Sequence, residues 1–422
     1  MPDPRPFARP GLPPVMPAPR AAYLHIPFCH RRCFYCDFAV VPLGDRADGA
    51  GGSGAASIAA YLELLHAEIA VSPPGPPLST VYLGGGTPSM LTPAQVAALL
   101  ASLRRRYGLA PGAEIGLEMD PASFDEARLA GYLAAGINRV SLGGQSFDDA
   151  VLASLGRRHR GADLLQACHW LRRARRDGGL RSWSLDLIQA LPAQTLDHWG
   201  EQLRGAIAEG PPHLSIYDLI VEPGTVFARR QASGRLDLPD DDLAADLMEL
   251  TQRLLSRAGY GHYEISNYAL PGHASRHNRV YWSGAGWWGF GMGATAAPWG
   301  HRQARPRTRE AYAAWLASPP PSPPRPSPLA TGMGALLPSD ELWLVGLRRR
   351  EGVDAMALAA AAGLGPADLA ELRTHLAGFE AAGLLLVEGR RWRLCDPCGL
   401  ALSNAVLREL LTWWEERLDA GP

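Results

Sequence analysis

From Tyr23 onward, short β-type runs alternate with helical stretches, and this alternation constrains the fold of the 422-residue chain more than any other feature. AAYLHIP precedes a helical stretch over 58–71, TVYLGG one over 92–107, and EIGLEMD one over 125–135. RVSLGG leads into helices between 148 and 176, SWSLDLIQALP into one at 195–208, and HLSIYDLI follows. Repeated strand–helix units predict a parallel sheet with right-handed crossovers, either an open sheet or a barrel. In such a barrel function gathers at the C-terminal ends of the strands. The polar motifs of this chain fall at those ends.

Three segments break the rhythm. Residues 1–20 read as a disordered Pro-rich arm, residues 44–57 (GDRADGAGGSGAAS) as a flexible loop insertion, and 318–328 (SPPPSPPRPSP) as a stiff extended linker. These divide the chain into a core over 21–300, a linker region over 301–330 and a last unit over 331–422, in line with the two to three domains its length suggests. The last unit shows amphipathic helices and then GLLLVEGRRWRL, the order of a winged-helix-like module. Arg348, Arg349 and Arg350 read as a solvated helix end rather than a nucleic-acid patch, and Trp413 and Trp414 as packing.

Composition excludes several chemistries. The chain has no lysine, so all 41 basic residues are arginine; no Schiff base and no lysine-bearing phosphate loop is possible. With 42 acidic residues the formal charge is −1, which gives no global pull toward nucleic acid or an anionic membrane. No run of about 18 apolar residues predicts a membrane-spanning segment. Six cysteines in this length are no disulfide framework, and the N-terminus lacks the apolar run of a secretory signal. A reducing, cytoplasmic setting is the expectation.

The segment YLHIPFCHRRCFYCDF holds Cys29, Cys33 and Cys36 in C-x₃-C-x₂-C spacing directly after the first strand. Three thiolates on one tight loop can hold three irons of a [4Fe–4S] cube, leaving the fourth iron without a cysteine. Structural zinc, with His25 or His30 as fourth ligand, is the alternative. Zinc usually takes cysteine pairs from two separated places, and a single compact triplet supplies no second pair.

LGGGTPS (83–89) ends the second strand with three glycines, which let a ligand approach the backbone. A phosphate loop fails on spacing and on the missing lysine. Glu118, Gln145, Arg157 and Asp186 stand at later strand ends. Each alone reads as a cap or a satisfied polar group. Together, on one rim with the cysteine loop, they describe a ligand-lined mouth.

The cysteine triplet after the first strand, with the GGG segment, resembles the radical S-adenosylmethionine (SAM) superfamily. YLHIPFC, GGGTPS, GGQSF, DLIQALPAQT and EPGT narrow the likeness to the branch holding oxygen-independent coproporphyrinogen III oxidases and the heme chaperone HemW group, from about Tyr23 to the C-terminus. The resemblance implies a partial (β/α)₆ barrel with a mostly helical, winged-helix-like C-terminal domain. It implies a [4Fe–4S] cluster on the three cysteines, with SAM chelating the open iron. It places Tyr23, Gly85, Gly86, Thr87, Glu118, Gln145, Arg157 and Asp186 around SAM and Tyr35 near its adenine. The oxidases carry a fourth cysteine where this chain has Phe38, whereas the chaperone group has CDF there and an HNxxYW signature, met here as HNRVYW. That branch is favoured. His277 is then the candidate heme contact, with a heme-acceptor protein and an electron donor as partners.

From the residues alone, His277 beside aromatics is an axial ligand or a packed imidazole with its ring nitrogens satisfied. GWWGFGMGA is a wall over a planar ligand or a tight aromatic core. Two departures from the family pattern stand beside the expected SAM site: Gly144 where valine is usual, and Gln189-Ala190 where Tyr-Gly is usual. Cys395 and Cys398 lie outside the pattern and read as incidental thiols, Cys168 as a core residue.

Overall fold

A computed structural model describes residues 17–44, 53–300, 302–318 and 339–419. Six strands run in parallel in chain order: β1 (Ala21–Ile26), β2 (Leu78–Gly85), β3 (Leu109–Met119), β4 (Arg139–Gln145), β5 (Ser182–Gln189) and β6 (His213–Asp218). They are buried on most positions, the pattern of strands covered on both faces. The expected six-stranded parallel array is present. It is extended at both ends. β7 (Gly261–Glu264) and β8 (Asn267–Ala269) add antiparallel beyond β6, and β9 (Trp288–Phe290) adds parallel outside β1.

The crossover helices follow the sequence reading closely because their caps are written in the chain. They are α1 (Ser53–Val71), α2 (Pro93–Arg106), α3 (Glu126–Ala135), α4 (Asp149–Ser154), α5 (Gly161–Arg176) and α6 (Leu196–Glu209). Thr92 accepts from the Gln95 amide while the Gln95 side chain accepts from the Thr92 amide, a capping box. Asp125, Asp148 and Thr195 cap α3, α4 and α6, each side chain accepting from a main-chain amide of the first turn. Then come α7 (Val226–Ala232), α8 (Asp241–Arg257), α9 (Arg276–Trp282) and α10 (Arg309–Ala317).

Three boundaries differ from the sequence reading. Helix α1 begins at Ser53, so residues 53–57 of the supposed insertion are helical, while 45–52 lie outside the described residues. The carbonyl of Arg20 accepts from the Ser79 amide at 2.6 Å, which ties the last residue of the supposed arm to β2; residues 1–16 lie outside the described residues. The core also runs past residue 300. Tyr312 of α10 is buried and donates to Glu68 at 2.6 Å, and Arg305 pairs with Glu68 at 2.6 Å. Of the Pro-rich linker, only Ser318 is described. Finally, α1 is 19 residues long and apolar enough, by length and composition, to cross a membrane. Glu68 on it is buried in a network with Arg305, Tyr312 and the Gly291 amide, which reads as a core helix against the barrel.

The C-terminal unit has its own core of Trp343, Leu372, Trp392, Leu410 and Trp413. Helices α11 (Ser339–Leu347), α12 (Ala355–Ala361) and α13 (Pro366–His375) precede a hairpin, β11 (Leu385–Glu388) and β12 (Arg391–Leu394), joined by β10 (Val353–Asp354). Three helices and a small antiparallel sheet match the winged-helix-like expectation. Trp413 packs into this core with Trp414 against it. The arginine triplet is not a free helix end. Arg349 bridges Glu264 of β7, the Ile265 amide donates to the Arg348 carbonyl at 3.0 Å, and the Arg350 amide donates to Tyr263 at 3.2 Å.

Candidate functional site

The cysteine loop is fixed on three sides. Phe28–Cys29 pairs in parallel with Val41–Pro42, the Thr87 amide donates to the Phe28 carbonyl at 2.6 Å, and the Phe34 amide donates to the Leu155 carbonyl at 3.0 Å. This close approach is why the end of β2 is glycine. Gly85 has φ +113°, and a Cβ there would sit 2.5 Å from the His25 ring; one on Gly86 would sit 2.7 Å from the Phe28 carbonyl oxygen. The glycines are therefore demanded first by what lies on them, the His25 ring of β1 over Gly85 and the loop carbonyl over Gly86.

A cavity of about 400 Å³ opens at this end of the strands. It is lined by Cys29, Cys33, Cys36, Tyr35, Gly85, Gly86, Thr87, Glu118, Gln145, Arg157 and Asp186. Every cluster and SAM candidate except Tyr23 meets here. Tyr23 turns instead into a smaller chamber below, its hydroxyl 2.9 Å from His25 Nδ1 and its ring stacked on Tyr82. Glu118 lies between the two spaces, its Oε2 accepting from the Gly85 amide at 2.9 Å. Burial pushes its carboxyl up to about 7. Burial likewise raises Asp186, against the opposing hydrogen bonds of Ser141 and Ser184 at 2.7 and 3.0 Å.

Arg157 reaches the cavity from the turn after α4. Its guanidinium donates to Asp120 Oδ2 at 2.6 Å, to the Gly143 carbonyl at 2.8 Å and to Cys33 Sγ at 3.5 Å. Burial alone would raise Asp120, but Arg157 and His159 hold its carboxyl well below the ordinary range. Asp120 was missed from sequence, although it stands in the same LEMDP segment as Glu118; its signal was an arginine elsewhere needing a carboxylate. Thr87 Oγ1 lies 3.6 Å from Cys29 Sγ. Burial pushes the Cys29 thiol up to about 12 and raises Cys36, so cation uptake by this loop must release protons.

The donor set suits a cluster better than a single ion. Among the described residues no three His, Cys, Asp or Glu side chains converge to hold one metal ion. The three thiols nevertheless surround one cavity. Mononuclear zinc needs its sulfurs drawn within about 2.3 Å of one point, whereas a cube spreads its three cysteines over three separate irons.

His277 stands apart from that cavity. It lies on α9, 1% exposed, with Nδ1 2.9 Å from Thr80 Oγ1, Nε2 2.8 Å from the Tyr281 hydroxyl and its ring stacked on Tyr82. Burial pushes its pKa down to about 3. Both ring nitrogens are occupied by hydrogen-bond partners. The chamber beside it is about 250 Å³, below the roughly 300–1,000 Å³ of ordinary ligand pockets. The glycine-tryptophan run is β9: Trp288 and Phe290 pack with Tyr107 in the core.

The two departures have local explanations. A Cβ on Gly144 would meet Leu185 at 2.7 Å and Leu164 at 3.0 Å, so the space of a larger residue is taken by leucine. Gln189 donates to Asp218 at 2.8 Å and accepts from Thr251 at 2.8 Å, tying β5 to β6 and α8. Ala190 sits at φ +57°, a left-handed backbone that costs an L-residue about 1–2 kcal/mol. Ala190→Gly should therefore stabilise the protein by about 0.5–1 kcal/mol after the unfolded-state entropy of glycine is subtracted. Thermal unfolding of the two proteins side by side measures it; a lower melting temperature for the glycine variant would contradict the reading.

Comparison with known proteins agrees with this fold. The Radical SAM superfamily model matches residues 23–204. The heme chaperone HemW of Synechocystis sp. is 45% identical over 304 residues, covering 71% of this chain and 71% of the relative. That of Mycobacterium tuberculosis (H37Rv) is 40% identical over 290 residues, covering 68% and 72%; that of Escherichia coli (K12) is 38% identical over 282, covering 65% and 69%. Among solved structures, coproporphyrinogen III oxidase (HemN) from E. coli superposes with a TM-score of 0.74 at 23% identity, over 93% of this chain and 90% of that one, a likeness of fold.

Proposed function

Since the chain belongs to the heme chaperone HemW family, a branch of the radical SAM superfamily, we propose that it binds a [4Fe–4S] cluster and SAM at the strand ends and delivers heme to an acceptor protein. The observation that carries this reading is the single cavity on which Cys29, Cys33, Cys36, Tyr35, Gly85, Gly86, Thr87, Glu118, Gln145, Arg157 and Asp186 converge. When bound, such a cluster offers one uncysteinated iron to the amino and carboxylate groups of SAM and a reducing electron beside its sulfonium.

The chain's own residues bind and orient. The three thiols would hold the cluster, and the Arg157 guanidinium beside Cys33 places positive charge against a thiolate. The backbone at Gly85 and Gly86 lets a ligand's polar groups come close. Glu118 and Asp186 supply buried carboxyls for SAM's amino and hydroxyl groups, and Glu118, held near neutrality, ionises readily beside a cation. Phe38, where the related oxidases carry a further cysteine, favours the chaperone over porphyrinogen decarboxylation. A reducing compartment, the cytoplasm, with an electron donor would keep the partly exposed thiols and the cluster intact.

The test is anaerobic reconstitution followed by iron and sulfide analysis and by heme titration at the Soret band. Four irons, four sulfides and saturable heme binding are expected. Incubation with SAM, reductant and coproporphyrinogen III should yield no protoporphyrinogen IX; its formation at a useful rate would replace the chaperone with the oxidase.

A further inference from the structure

If the chain carries heme, His277 is not where the iron meets it, because both its nitrogens are engaged inside the barrel. The surface offers another place. Eight large hydrophobic residues are exposed among the described residues, and three of them line one cavity: Phe38 at 55%, Tyr217 at 42% and Ile220 at 66%. Phe38 follows β1 and Ile220 follows β6, so they stand on the loops of the first and sixth strands. Phe38 and Tyr217 also border the inner chamber, which sets them next to each other at the join of the two spaces.

Arginine surrounds this apolar rim. Arg31, Arg32 and Arg158 line the same cavity on its exposed side. Arg32 donates to the Phe38 carbonyl at 2.7 Å and Arg31 to the Arg157 carbonyl; these are main-chain acceptors, and among the described residues no carboxylate pairs with either guanidinium. Asp218 is the exposed carboxylate among the lining residues, and it accepts from Gln189. Exposed aromatic and aliphatic surface beside several guanidinium groups matches a flat apolar ring bearing two carboxylates.

We propose that heme lies across this rim, its macrocycle against Phe38, Tyr217 and Ile220 and its propionates toward Arg31 and Arg32. This rests on the chaperone reading and adds the site. Heme so placed covers the mouth of the cavity that would hold the cluster and SAM, so its occupancy slows the exchange of SAM.

The experiment uses the full chain, anaerobically reconstituted, titrated with hemin at the Soret band. Ile220→Asp and Phe38→Ala should each weaken hemin by about tenfold to a hundredfold, the range expected for losing one buried large apolar side chain. Arg31→Ala/Arg32→Ala should weaken hemin about tenfold and flatten its salt dependence. Iron and sulfide contents and melting temperatures, measured on the same samples, should stay at wild-type values, since these side chains are exposed. Hemin should also slow the release of radiolabelled SAM from wild type and not from Ile220→Asp. His277→Gln should keep the wild-type hemin affinity. Rim variants that bind hemin like wild type, or a folded His277→Gln protein that has lost it, would overturn the rim while leaving the chaperone standing. Wild-type protein that binds no hemin would sink the chaperone reading and the rim with it.

Discussion

Cys33→Ser should leave the anaerobically reconstituted protein without a stable cluster: iron and sulfide fall to a small fraction of the wild-type content and the broad visible absorption disappears. Cys33 is the thiol that Arg157 contacts, so its loss removes one of the three proposed cluster thiols and a contact of a buried cation together. Serine is nearly isosteric but does not ionise near neutrality, and a thiolate is the ligand iron requires. Cys29→Ser and Cys36→Ser should behave alike. Cys395→Ser and Cys398→Ser, on the distant winged unit, should load fully, because those thiols lie away from the cavity. Full iron and sulfide in the Cys33 variant would remove the cluster from this loop.

The second large effect concerns the ion pair beneath that loop. Asp120 and Arg157 are 2.6 Å apart with side chains 21% and 11% exposed. Removing one partner strands the other mostly shielded from water, a loss of roughly 3–5 kcal/mol in comparable buried pairs. Arg157→Met should therefore lower the melting temperature by roughly 10 °C, taking about 2–4 °C per kcal/mol for a unit of this size. Asp120→Asn should fall nearly as far. The double variant should recover part of the loss, since neither charge is then left alone. Melting curves of the four proteins read the coupling directly; strictly additive losses would mean that the pair does not act as a unit.

The parallel array was legible because its strands are continuous apolar runs and its helices open on Thr92, Asp125, Asp148 and Thr195, each a local signal. The additions at the sheet ends were not. Gly261–Glu264, Asn267–Ala269 and Trp288–Phe290 are too short to show a period of two, and each owes its conformation to a neighbour distant in sequence. The cysteine loop and its rim residues could be read because spacing and strand ends mark them. Asp120 could not, because a carboxylate matters here only through an arginine 37 positions away. The surroundings of His277 were equally illegible: it is buried between Thr80 and Tyr281 with Tyr82 stacked on it, partners brought together only by the fold.

The docking of the winged unit carries a consequence for the barrel itself. Strand β7 is the last of its sheet, and it is met by the Arg348–Arg350 backbone, with Asp396 bonded to His262 at 2.8 Å. A bare strand margin invites pairing with another chain. The C-terminal module therefore works as a hem on the open side of the barrel, shielding that margin from unwanted partners.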